Sequence, residues 1–349
     1  MFTGWGYPST SATAFRTASA NYFNALQLFP AFHDDGPKNL TPVLAAPIPA
    51  GQGGAKDLEL ALNALVQHPN TAPFISKLLI QRLVTSNPSP GYVYRVARRF
   101  LDDGAGVRGN LGAVVRAILT DHEARSPEVA ATPSFGKLKE PILRISALLR
   151  GFQATSSSGR FVGFRVTVDG EPITSATPRP ATAEQINRTP SAYSATRLDF
   201  VQTSLAQAAL RSPTVFNFFH SDYVLPGPLA AAGLVVPEFE ITDDNFAISV
   251  PNFLRTFVTA ALPTTNGVPT PAAPYTLTLN LTHELELVND PAALVAHFNL
   301  VLAAGTLNAE AQARIRSALT ALPTTTAALD RVRTALLLTL SAPAAAIQK

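Results

Sequence analysis

At 349 residues with 46% hydrophobic content, the chain is long enough for one large or two ordinary domains with a substantial core. It has no cysteine, which excludes disulfides, thiolate metal sites and a cysteine nucleophile, and no stretch nears the roughly 20 apolar residues of a membrane span. The net charge of +3 is uneven: residues 70–150 hold 12 Lys/Arg against 6 Asp/Glu, yet no basic stripe or recognisable module accompanies them, so no nucleic-acid partner is expected.

Helical periodicity dominates the chain, and a mainly α fold is expected: a multi-helix, bundle-like array with long ordered loops and at most one small β-hairpin excursion. Residues 1–56 read as a loop-rich N-terminal segment. Asp57 reads as the cap of a first helix, with Leu58, Ala61, Leu62, Leu65 and Val66 turned inward and an end at His68-Pro69. Asn70 or Thr71 caps a second helix, with Pro73 in the tolerated first turn, which Pro88 and Pro90 stop. Two more follow, around Tyr92–Phe100 and Leu111–Leu119, and a fifth is expected over Lys137–Phe152. The span 57–154 is thus a helical core. Within it Arg95, Arg98 and Arg99 share one helix and read as a solvated face or as ion-pair partners of Asp102, Asp103 and Glu123. Residues 155–190 read as a polar surface insertion, with a strand through Phe161, Phe164, Val166 and Val168 turning at Asp169-Gly170. Helices resume near Phe200–Leu210 and Thr242–Leu262. Three more close the 191–349 part of the same domain, marked by Asp290-Pro291, Asn308 and the Leu329–Leu337 stripe.

Few residue patterns carry chemistry. Gly104-Ala105-Gly106-Val107-Arg108-Gly109 satisfies the dinucleotide pattern G-x-G-x-x-G, but a helix rather than a buried strand precedes it and Asp121 follows too soon, so no nucleotide site is expected. His33-Asp34-Asp35, bounded by Gly36-Pro37-Lys38, offers an imidazole and two carboxylates in a loop. That is either an Asx-turn with Lys38 paired to a carboxylate, or a set of N and O ligands for a divalent metal, with His33 and Asp34 the candidates. His68 and Asn70 stand at a helix junction whose free N–H groups favour anions, and Arg82 lies on the helix that follows. Val215–Phe219 reads as core.

The stretch His68-Pro69-Asn70 through Arg82 to Asn87-Pro88-Ser89-Pro90 closely resembles the signature segment of the bacterial family of domain of unknown function 1800. His33–Lys38, Gly106–Leu111, Asp121–Arg125, Gly136–Pro141 and Ser212–Phe219 look like further blocks in the family's order. The resemblance covers the whole chain, with His122 standing where the family block usually has proline. It implies that a further helical region precedes Phe2, so that the chain is the C-terminal part of a longer protein. It also implies an extracytoplasmic location, periplasmic or secreted, and a partner in another exported protein encoded nearby.

Two functions follow from these readings. One is an exported helical binding or scaffold module acting with that partner. The other is a hydrolase or metal-assisted enzyme with a site near His33, Asp34 and His68. A joint site would bring His33, Asp34 and Lys38 against His68 and Asn70, and the 18 residues from Asn39 to Lys56 are long enough to allow it. Any cofactor stays open.

Overall fold

The computed structural model describes residues 3–7, 25–39, 47–156, 167–168, 171–172, 205–207, 212–259 and 277–349. The fold is mainly α, and the strands occur in antiparallel pairs. Backbone contacts divide the chain into two units that interleave in sequence: residues 1–79, 89–120 and 180–190 in the first, and 80–88, 121–179 and 191–349 in the second.

In the first unit, β1 (Thr3–Gly6) pairs with β2 (Gln27–His33), a strand pair the sequence reading missed. Its register slips between Thr3 and Trp5. Gly4 sits there at φ +70, where a Cβ would lie 2.9 Å from the His33 nitrogen and the Phe29 carbonyl, so the irregularity needs glycine. Helix α1 (Gly54–Gln67) starts on this pair. It begins three residues ahead of Asp57, so Asp57 lies in its first turn and Gly53 takes the cap. The expected inward stripe is a correction: Leu58, Leu62, Leu65 and Val66 are all exposed, and the buried residues of α1 are Gly54 and Asp57. The helix docks through its N-terminal turn, with a Cβ on Gly54 falling 2.6 Å from Leu28, while Leu58, Leu62, Leu65 and Val66 stay exposed.

Helix α2 (Thr71–Leu83) gives its first nine residues to this unit and its last turn to the other. Ser89 accepts from the Tyr92 N–H at 3.0 Å and Pro90 takes the first helical position, opening α3 (Pro90–Leu101). Tyr92, Val96 and Phe100 on α3 are buried, as are Val114 and Ile118 on α4 (Leu111–Thr120), and the Tyr92 hydroxyl donates to the Ile118 carbonyl at 2.6 Å.

The second unit contains the short helices α5 (His122–Arg125) and α6 (Pro127–Ala130), then β3 (Lys137–Leu138) and α7 (Pro141–Gly151). The helix expected from Lys137 therefore starts four residues late. Proline fits only the first turn and pushes the residue before it out of the α region, so 137–140 stay extended. β3 pairs with β8 (Ile347–Gln348), and β4 (Thr155–Ser156) with β7 (Leu277–Thr278). β5 (Thr167–Val168) and β6 (Glu171–Pro172) pair antiparallel on either side of Asp169-Gly170, the expected hairpin. The expected strand residues Phe161, Phe164 and Val166 lie outside the described residues, as does most of the expected Phe200–Leu210 helix.

α8 (Pro228–Ala231) and a short 3-10 turn at Pro237–Ile241 lead into α9 (Asp244–Thr259), and α10 (Thr282–Glu286) precedes the four closing helices. These are α11 (Pro291–Ala303), α12 (Ala309–Thr320), α13 (Ala328–Ser341) and α14 (Pro343–Ala346). Asp290 and Asn308 cap α11 and α12 as their sequence positions suggest, and Ala304 in the left-handed region with Gly305 ends α11. One apolar core joins Leu148, Phe152, Leu254, Leu294, Phe298, Leu319, Val332 and Leu336.

Candidate functional site

The His33 loop is folded onto the first turn of α1. Lys38 and Ile48 exchange both backbone hydrogen bonds, at 3.0 and 2.8 Å. The Asp35 carbonyl and carboxylate accept from Gly51 N (2.9 Å) and Gly53 N (3.2 Å), holding the loop against the approach to α1. Both side chains then meet on one carboxylate: His33 Nε2 lies 3.0 Å and Lys38 Nζ 2.6 Å from Asp57 Oδ2, with the His33 and Asp57 side chains almost wholly buried. Lys38 also donates to the carbonyls of Asp34 and Gly36. Asp34 closes an Asx-turn by accepting from Gly36 N at 2.9 Å.

The ammonium of Lys38 occupies the position beside Asp57 that a cation would take. Among the described residues no group of three or more His, Asp or Glu side chains is arranged to hold a metal ion. The Lys38 hydrogen bond is the largest influence on Asp57, and with His33 it outweighs burial and lowers the carboxyl from its ordinary 3.8. A carboxyl lowered in the folded state contributes stability that is present above its ordinary value and lost as pH falls through the lowered one. Asp57→Asn is therefore expected to flatten the acid limb of a circular dichroism titration. Asp57→Ala should cost about 1–3 kcal/mol at neutral pH by removing the buried carboxylate that Lys38 and His33 share. An unchanged acid limb in the asparagine variant would remove Asp57 from this account.

His68 and Asn70 are at the other end of α1. His68 follows its last residue, so 11 residues separate it from Asp57, about 16 Å along the axis. There His68 Nδ1 accepts from Asn70 N at 3.2 Å, and Arg108 donates to the carbonyls of Val66, Gln67 and His68 at 2.9, 3.4 and 3.3 Å. The structure thus brings His33 and Lys38 together and ties His68 and Asn70 to each other, in two clusters rather than one.

The glycine turn between α3 and α4 shows where its amides go. Asp102 Oδ1 accepts from Gly104 N and Gly106 N at 2.8 and 3.0 Å, and Asp103 Oδ1 from Ala105 N and Val107 N at 2.8 and 3.2 Å. Asn110 adds a bond to Asp103 at 2.8 Å, the largest of the influences that lower the Asp103 carboxyl. These two acids serve loop amides instead of pairing with the α3 arginines. A pyrophosphate needs the same N–H groups. Saturating nicotinamide or flavin dinucleotide is expected to leave the melting temperature unchanged, whereas a ligand at 100 times its dissociation constant would add about 2.7 kcal/mol.

The end of α2 is enclosed by a buried polar network in the second unit. Lys137 donates to the Gln81 and Arg82 carbonyls at 3.2 and 2.9 Å and pairs with Glu238 Oε1 at 3.1 Å, the two side chains being 0% and 2% exposed. Ser86 Oγ donates to Glu238 Oε2 at 3.3 Å, and Asn87 exchanges two hydrogen bonds with Val235. Arg82 lies 3.6 Å from Glu140 Oε1 and 4.0 Å from the Phe219 ring centroid, while Gln207 donates to Glu140 at 2.6 Å. Sequence reasoning named Arg82 and missed Lys137, Glu140 and Glu238, since charged residues are almost never fully buried unless paired and the partner lies 101 positions away. Arg82 is positioned here to hold Phe219 and Glu140.

Phe219 anchors an unusual loop. The expectation that Val215–Phe219 is core holds only for Phe219, which is buried; Val215 is 95% and Phe216 67% exposed. The reason is a tight turn. Asn217 takes φ 74, its N–H donates to the Thr214 carbonyl at 3.2 Å, and Phe216 N donates to Thr214 Oγ1 at 3.1 Å, so Val215 and Phe216 stand at the apex. His220 braces the base, its N–H donating to Glu240 Oε2 at 2.6 Å, its Nδ1 lying 2.9 Å from Glu240 Oε1 and its ring 5.6 Å from that of Phe216.

The sequence model of one family, described as Protein of unknown function (DUF1800), matches residues 1–346. No curated protein and no solved structure matches the chain. Among the described residues no helix is long and apolar enough to cross a membrane.

Proposed function

The chain belongs to the DUF1800 family, and on that footing we propose that it is an exported binding module that docks on a partner protein through the 214–217 turn. The observation that carries this reading is the pair of apolar side chains at the apex, Val215 and Phe216, exposed on a turn whose backbone is already ordered. Burying two such side chains against a partner contributes about 1.5–3 kcal/mol each. A preset turn also spares the ordering cost that a flexible loop bears on association. The His33 cluster gives less support to hydrolysis. Its imidazole is almost wholly buried and its carboxylate is neutralised by Lys38, so neither base of the pair faces a substrate.

Location outside the cytoplasm, and a partner among exported proteins encoded beside the gene, are part of the same proposal and rest on the family resemblance. The test is calorimetric titration of the purified chain with the exported protein encoded next to it. Saturable binding is expected, weakened about tenfold or more in Val215→Ser/Phe216→Ser at an unchanged melting temperature. Failure to bind, or equal affinity of the double variant, defeats the reading.

A further inference from the structure

In sequence, His283-Glu284-Leu285-Glu286 lacks the second histidine at i+4 that marks a zinc-protease helix. The fold supplies one from another helix. His297, on α11, brings its ring centroid to 5.0 Å from that of His283, on α10, with the two planes at 74°.

Each imidazole has a carboxylate beside one of its nitrogens. His297 Nε2 lies 2.7 Å from Glu284 Oε1, and His283 Nδ1 lies 3.6 Å from Glu286 Oε2. A carboxylate only accepts, so the hydrogen of a neutral His297 sits on Nε2 and the lone pair on Nδ1. Among the described residues, neither His297 Nδ1 nor His283 Nε2 has a hydrogen-bond partner. Metal-binding histidines almost always have this arrangement, one nitrogen oriented by a carboxylate, carbonyl or water and the other open to the ion.

The buried acid points the same way. The Glu284 side chain is 6% exposed, and among the described residues its ion-pair partner is His297 alone. A buried carboxylate calls for a positive charge close by, and here no lysine or arginine among those residues provides it. A divalent ion on His297 Nδ1 provides that charge through the ring. The spacing of the rings also fits: metal–nitrogen bonds of about 2.0–2.1 Å at a tetrahedral angle put two coordinated imidazole centres about 5 Å apart. The His283 side chain is 61% exposed, so its ring turns toward the ion without displacing packed neighbours.

We propose that His283 and His297 bind one divalent ion of the zinc, nickel and copper class through His283 Nε2 and His297 Nδ1. Water completes the coordination, and Glu284 and Glu286 orient the rings. Two protein nitrogens make an open, exchangeable site, unlike a cage of three or more His, Asp or Glu side chains, which the described residues do not contain. Imidazole donors select against magnesium and calcium, which take oxygen.

The experiment is isothermal titration of the whole chain, chelator-treated and freed of any affinity tag, with zinc chloride and with magnesium chloride. Zinc is expected to bind saturably with one ion per chain, and magnesium to give no binding heat. His283→Ala should weaken zinc binding about tenfold or more at an unchanged melting temperature, because that side chain is exposed. His122→Ala, at another exposed histidine, should leave the affinity as it is. Glu284→Gln removes the orienting charge and should weaken binding about 10–100-fold. Paramagnetic resonance of the copper(II)-loaded chain should show two coordinated imidazole nitrogens, reduced to one in His283→Ala. The proposal is overturned if zinc does not bind, if magnesium binds as well, if His283→Ala binds zinc as tightly as the parent, or if copper shows the same nitrogen count in both.

Discussion

Glu238→Ala is expected to destabilise the second unit by about 3–5 kcal/mol, because it strands the Lys137 ammonium in a site where that side chain is 0% exposed. The Gln81 and Arg82 carbonyls that Lys137 reaches satisfy its hydrogen-bonding directions and leave its charge unbalanced. Removing both charges is a different perturbation. Lys137→Met/Glu238→Leu should recover most of the loss, since well-packed apolar residues of similar volume replace a buried pair at little or no cost. Urea unfolding of the two variants checks this through the midpoints at constant slope. Equal destabilisation by the single and the double variant would mean that the hydrogen bonds to α2, rather than the charge balance, hold the site together.

The second large effect belongs to the apolar core. Phe298 on α11 is fully buried and meets Phe152 edge to face, with ring centroids 5.7 Å apart. Phe298→Ala should cost about 3–5 kcal/mol through lost burial and the cavity left behind, and Phe298→Leu markedly less. A loss under about 1 kcal/mol for the alanine variant would show that the site collapses freely and is not tightly packed.

How much of this could be read from the chain depends on how far apart the interacting residues lie. The caps at Ser89, Asp290 and Asn308 each satisfy an N–H within three residues, so local chemistry announces them. The hairpin about Asp169-Gly170 is legible for the same reason. The β1–β2 pair escaped notice because it is non-local and carries Pro30, which belongs to an edge strand and breaks the pattern. Periodicity found the stripe of α1 correctly as an amphipathic face, but it says nothing of what the face meets, and Leu58, Leu62 and Leu65 are exposed.

The candidate site divides in the same way. His33 and Lys38 belong to one short loop segment and do converge, yet by sequence their common partner Asp57 reads as a helix cap, because Asp before an apolar run has that commoner role. Val215 and Phe216 are hydrophobic by type, and only the backbone turn at Asn217 decides that they face outward.

The pairing of β3 with β8 also sets a timetable. Lys139 donates to the Leu302 and Ala345 carbonyls, the second 206 residues further along. On a ribosome adding about 5–20 residues per second, that interval lasts about 10–40 s. Throughout it the 137–141 segment has its own residues made and its strand partner still unmade. Translation speed therefore governs how long this edge is open to a wrong strand, and slowing synthesis between residues 139 and 345 should raise the misfolded fraction even though it changes no amino acid.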